Sequence, residues 1–285
     1  MRIVTDISMT AALGAFRTQA PRTRARGWVR LVVTALAGFI VPLLALLLWQ
    51  VSASRDWLPQ QILPPPDMVW QSFVDMVKSG ELLGHIEISL QRVVEGFALG
   101  AVIGLTLGFS IGLSPILDDY LSPLITAFAQ VPTLGWVPLL MILLGIDEGL
   151  KVAIIAIAAF IPMVINTRAA VRAVPQGLLE VARCFMYTRR QQLLRVVLPA
   201  SVPTIFTGIR YGLTHAWKAL VGVELLASAE GLGYLLVWGR QMFWLDMVLL
   251  AMAVIGVLGF AMDYGLARIE RRLQRWRIGP LGDPS

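Results

Sequence analysis

Within one apolar stretch of the sequence, several residues carry polar or ionisable groups: Arg210, Tyr211, Thr214, His215, Lys218 and, further on, Glu224. A charge in such surroundings is costly in lipid, so it faces a bundle interior or a cavity. At 100° per residue, Arg210, Thr214 and Lys218 drift by only about 80° and share one helix stripe. Two cations on that stripe favour an anionic solute. The competing reading is that Lys218 snorkels outward along its stem while Arg210 pairs with a neighbouring helix. Glu224 stands before Gly231 and Gly233, where it is placed to organise a re-entrant outer segment. A second region, residues 130–138, holds Gln130, Pro132, Gly135, Trp136 and Pro138 inside an apolar span. Broken backbone at membrane depth persists only where protein buries it or a cavity lies alongside. Gln130, Trp136, Arg210, Thr214, Lys218 and Glu224 are therefore the pathway candidates. One cysteine, Cys184, and two separated histidines, His85 and His215, give no metal constellation, and no cofactor is expected. No G-x-x-x-x-G-K-[ST] run is present, so ATP is not bound here.

These groups sit in a chain of 285 residues that is 57% hydrophobic and only 15% charged, with mean hydropathy +0.72. Such a composition makes the bilayer the solvent for much of the chain. The expected fold is an all-α membrane protein with six transmembrane helices, near 31–51, 93–113, 121–145, 152–166, 199–221 and 247–267. The net charge of +6 does not indicate nucleic acid, because arginines flank the spans: Arg17, Arg22, Arg24, Arg26 and Arg30 before the first, and Arg268, Arg271, Arg272, Arg275 and Arg277 after the last. Flanking arginine places both termini in the cytoplasm. Arg168, Arg172, Arg183, Arg189, Arg190 and Arg195 share one inner loop, and the short outer loop 145–149 is acidic. The first span has full length and no small-residue cleavage site after it, so it reads as an uncleaved anchor.

Organisation follows: an Arg-rich N-terminus (1–30), a first span (31–51), an outer loop (52–91), a core of five spans (92–272) and a cytoplasmic tail (273–285). In the outer loop, Pro64, Pro65 and Pro66 favour an extended run. Val69, Trp70, Phe73, Val74 and Val77 then have the spacing of an amphipathic helix with Asp67 as N-cap. That helix either rests in the membrane interface or contacts a docked protein. Gly96, Gly100, Gly104, Gly108 and Gly112 recur every four residues, which lets a neighbouring backbone approach closely along one face.

One inner segment is unlike an ordinary loop. Residues 180–199 read EVARCFMYTRRQQLLRVVLP and carry two helical stretches. Between them Thr188 and Gln191 have the spacing of a capping box, and Leu198-Pro199 opens the next span. This pattern resembles the EAA loop of binding-protein-dependent ABC importer permeases, the element that docks on the ATPase. Glu180, Ala182, Leu198 and Pro199 match, Val181 replaces the middle Ala, and Met186 stands where the family has Gly. The stretch Ser89-Leu90-Gln91-Arg92-Val93-Val94-Glu95-Gly96-Phe97, the run Gln130-Val131-Pro132, and Glu224 with Gly231-Leu232-Gly233 are similar to the subfamily importing sulfonates, taurine and nitrate.

The resemblance implies a MetI-like permease core with a coupling segment at 175–199, lying in a bacterial inner membrane. It implies a permease homodimer, cytoplasmic ABC ATPase subunits and an extracytoplasmic substrate-binding protein as partners, beside the membrane lipids. It assigns ATPase coupling to Glu180, Ala182, Met186, Leu198 and Pro199. For Glu180 the bland alternative is an ion pair with Arg183 or Arg172. The rival function is a secondary transporter driven by an ion gradient, which predicts buried carboxylates in several spans and a repeat between halves. No ionisable residue lies within 121–145 or 152–166. A membrane enzyme lacks its catalytic constellation, and a passive channel leaves the 180–199 element idle.

Overall fold

The computed structural model describes residues 40–55, 57, 59 and 62–274, all helical or irregular with no strand among them. The Arg-rich N-terminus and residues 31–39 of the predicted first span lie outside the described residues, as does the tail beyond 274. The chain divides into two compact units at Pro59. Of the first unit, α1 (Ile40–Ser54) is the described part of the predicted first span.

The second unit begins with α2 (Pro66–Ser79). The predicted N-cap at Asp67 is shifted: Pro65 takes that position and Pro66 the first helical one. A proline there loses no intrahelical bond, and Asp67 sits in the first turn, where the helix dipole favours an anion. Val69, Phe73 and Met76 of α2 pack into the core cluster beside α11 (Leu245–Leu273), and Ser72 Oγ donates to Asp246 of that helix. The apolar face of α2 is thus occupied within the fold, and Trp70 remains exposed. Gly80, at φ +80°, ends α2 and starts α3 (Glu81–Leu113), which begins well before the predicted 93.

The glycine stripe of α3 lies on α6 (Glu148–Arg172), and the two helices run parallel. A Cβ at Gly96 would come within 2.6 Å of Ile155 Cβ, one at Gly104 within 2.6 Å of Met163 Cβ, and one at Gly112 within 2.7 Å of Val171 Cβ. Each four-residue step on α3 meets a four-residue step on α6. Here the glycines serve close backbone approach.

The predicted third span is not one helix. It is α4 (Pro115–Ala129), a 3₁₀ turn (Thr133–Trp136) and α5 (Val137–Leu144), with a 90° bend between the arms. Pro132 lacks the N–H needed to continue α4, and Pro138 fits the first turn of α5. The fourth span widens to the whole of α6. The fifth is α9 (Leu198–Ala227), preceded without interruption by α8 (Arg189–Gln192) and a π-helical turn (Leu193–Val197). Among the described residues, four helices are long and apolar enough to cross a membrane, or five if the bent pair is counted as one span, against the six expected. The core joins α3, α6, α9, α10 (Leu232–Gln241) and α11 around Leu82, Val93, Ile155, Ala216, Leu220, Leu232, Leu235 and Leu250.

Candidate functional site

α6 leads into α7 (Gln176–Cys184), and α7 and α8 form a short helical hairpin. Ala182 is buried beneath it, while Val171, Val174 and Val197 cluster with Leu179 and Leu193 to tie it to the ends of α6 and the π turn. Glu180 is exposed and forms no ion pair among the described residues; Arg172 pairs instead with Asp118. The hairpin turns at Met186, which adopts φ +52°. Its N–H donates to Arg183 O at 2.9 Å, and the Tyr187 N–H to Ala182 O at 3.0 Å, closing α7. The capping box then starts α8: Gln191 N–H donates to Thr188 Oγ1 (3.3 Å), and Thr188 N–H to Gln191 Oε1 (2.8 Å). A groove of about 420 Å³ runs along the hairpin between Leu178, Ala182, Phe185, Tyr187, Arg195 and Pro199. Leu198 lies elsewhere, in an apolar groove with Leu105 and Phe109 of α3.

The bend after α4 opens a second pocket, of about 560 Å³, against α6 and α9. Val131, Pro132 and Thr133 line it from the bend, Pro162, Ile165 and Asn166 from α6, and Tyr211 and His215 from α9. Asn166 Nδ2 donates to Pro162 O at 2.8 Å. Trp136 stacks on Phe128 at 4.5 Å, and its indole Nε1 is buried without a hydrogen-bond partner among the described residues. The polar stripe of α9 at this pocket is one residue off the predicted one. Tyr211 and His215 line it, whereas Arg210 points to α11 and pairs with Asp263 (3.0 Å) and Glu270 (3.5 Å). Thr214 bonds back to Arg210 O at 2.9 Å, and Lys218 and Gln130 are exposed. An i, i+4 pair of polar aromatic residues in an apolar span was the available signal for Tyr211 and His215.

At the end of the bundle opposite the hairpin, Glu224 is buried at 1% exposure. It accepts from Ser89 Oγ, Arg92 Nη1 and the Gly233 N–H, each at 2.8 Å. Arg92 also grips Glu148 with two bonds, at 2.6 and 2.7 Å, and donates to Glu230 O at 2.9 Å. Lys151 meets Glu148 at 2.6 Å, so two cations balance two carboxylates. This knot ties α3, α6 and α9 to the segment before α10, where Gly231 takes φ +107°. Glu224 therefore organises that segment and does not line the pocket. Arg92, Glu148 and Lys151 were not among the sequence candidates; the one arginine in the long apolar helix α3 was the signal, since a buried charge requires a partner.

A second ion cluster lies near the hairpin. Asp118 of α4 accepts from Ser122 and Arg168 and pairs with Arg172 at 2.7 Å. It joins the start of the bent helix to the last turns of α6, just before α7.

A bundle of long apolar helices and one pair bent by 90°, with a pocket at the bend, an ion knot at one end and a helical hairpin at the other, defines a multi-pass membrane transport protein. Residues 100–275 match the family model described as the inner membrane component of binding-protein-dependent transport systems, and the chain belongs to that family. It is 35% identical over 257 residues to the putative aliphatic sulfonates transport permease protein of Bacillus subtilis, covering 90% of this chain and 91% of that one. It is 32% identical over 249 residues to the taurine transport system permease protein of Escherichia coli, covering 86% and 90%. Its fold is similar to that of an inward-facing MetNI methionine ABC transporter chain, with TM-score 0.56 and 20% identity over 65% of this chain and 92% of that one.

Proposed function

We propose that the chain passes a small sulfonate-like or other small anion across the inner membrane, as a homodimer driven by cytoplasmic ABC ATPase subunits and supplied by an outer binding protein. Both termini and the α7–α8 hairpin then face the cytoplasm, and the Arg92–Glu224 knot faces outward. In this reading an N-terminal span precedes a five-span core, and residues 175–199 form the coupling segment. The observation that carries it is the hairpin: an exposed helical turn, anchored below by Ala182 and the valine cluster, that leads directly into α9. The similarity to sulfonate and taurine permeases supports an anionic substrate.

Uptake against a gradient requires a pathway open to one side at a time. Two ATPase arrangements that hold the hairpin differently shift that equilibrium by their difference in binding energy. Gln130, Trp136, Tyr211 and His215 stand at or beside the solute path. Arg210 is neutralised by Asp263 and Glu270, so attraction of an anion rests on Lys218 and the polar pocket. Glu180 contacts the ATPase surface, with Pro199 at the edge of the groove.

The test is co-purification with the cognate ATPase. Wild type is expected to retain it, and Glu180→Ala to lose it or uncouple hydrolysis from uptake. A wild-type chain that holds no ATPase would sink the reading.

A further inference from the structure

Position 186 is a turn that suits glycine, yet a long side chain occupies it. Met186 sits at φ +52°, a region disfavoured for any residue bearing a Cβ. The turn is closed by backbone bonds from Phe185, Met186 and Tyr187 and by Gln192 Nε2 donating to Tyr187 O, so its geometry asks nothing of the Met186 side chain. That side chain is 90% exposed, and the adjoining Phe185 is 73% exposed. Non-glycine residues held in such a conformation cluster at functional sites. Two large apolar groups at the tip of an element outside the apolar spans form the kind of patch that marks an interaction surface. Charge along the hairpin is one-sided: within residues 180–199 the exposed Arg183, Arg189, Arg190 and Arg195 stand against Glu180 alone.

We infer that Met186, with Phe185, is an apolar knob that enters a hydrophobic cleft with an acidic rim on the ATPase subunit, and that this side chain sets much of the affinity for that partner. The inference rests on the ATPase-docking reading above. It differs from it in assigning the work to a side chain at the turn, where a glycine offers only backbone. Unbranched and polarizable, methionine fills an irregular cleft well, and the arginines supply steering toward an acidic rim.

The experiment measures binding of the purified cognate ATPase to the full chain in lipid nanodiscs, comparing wild type, Met186→Gly and Met186→Leu. Glycine relaxes the turn and removes the knob; leucine keeps the apolar volume. The expected result is a Kd about tenfold weaker for Met186→Gly and within about twofold of wild type for Met186→Leu. Equal or tighter binding by Met186→Gly would overturn the knob, as would a Met186→Leu loss as large as that of glycine. A wild-type chain that binds no ATPase overturns the docking reading itself, and the knob with it, so the two failures are distinguishable.

Discussion

Replacing Arg92 with methionine keeps the length of the side chain and removes its charge. Glu224, at 1% exposure, would keep its bonds from Ser89 and Gly233 but lose its cation. Glu148 would suffer little, because it is 62% exposed at its side chain and keeps Lys151. Stripping one partner from a buried pair costs about 3–5 kcal/mol; the two bonds left to Glu224 set the lower end, about 3 kcal/mol. For a chain of this size that corresponds to a fall in thermal midpoint of about 6–12 °C. The assay is heating in detergent followed by fluorescence-detected size exclusion. Adding Glu224→Gln to Arg92→Met removes the stranded charge and should restore most of the loss, a coupling of at least about 1.5 kcal/mol. A midpoint within about 2 °C of wild type for Arg92→Met, or simple addition in the double variant, would refute the assignment of this knot as the clamp on α3, α6 and α9 at the end of the bundle opposite the hairpin.

Gly104→Ala should cost about 1–3 kcal/mol by overpacking against Met163, whereas Gly84→Ala, with nothing within 4 Å of its Cβ, should be neutral or slightly stabilising in the same heating assay. Asp118→Asn is expected to leave ATPase binding intact and to reduce substrate uptake per ATP hydrolysed; measurement in proteoliposomes checks it, and unchanged coupling would remove Asp118 from the path between hairpin and bent helix. Thr188→Ala removes the capping box at a cost of about 1 kcal/mol, read as faster amide exchange confined to α8. Lys218→Gln should slow uptake of an anionic sulfonate several-fold, most strongly at low salt.

The amphipathic spacing of 69–77, the glycine period of four and the capping box at Thr188 were legible because each depends on residues a few positions apart. The break at Pro132 was visible as a break, but its 90° angle depends on what α4 and α5 meet. The ion knot was hidden for the same reason. Arg92 lies far in sequence from Glu148 and Glu224, and spacing carries no information about which ends of three helices converge. The stripe read from the sequence, Arg210, Thr214 and Lys218, does not line the pocket: a rotation of 100° separates Arg210 from Tyr211, and the acids on α11 that turn Arg210 away are more than fifty positions downstream. Sequence period gives the helix face, and tertiary charge pairing decides which edge of that face is inward.

From Arg189 to Ala227 the backbone is one helical rod of 39 residues, about 58 Å long. Its foot is the second arm of the hairpin and its head carries Glu224, so a tilt imposed at the foot is amplified along the shaft. A 10° tilt displaces the head by about 10 Å relative to the foot, from the same length. The π turn at Leu193–Val197 sits close to the foot, and such turns are the points at which a helix is least uniform. The compliant joint therefore lies at the short end of the lever. Small movements of the hairpin are thereby geared up into larger ones at the Glu224 end of the rod, with no intermediate loop in which to dissipate them.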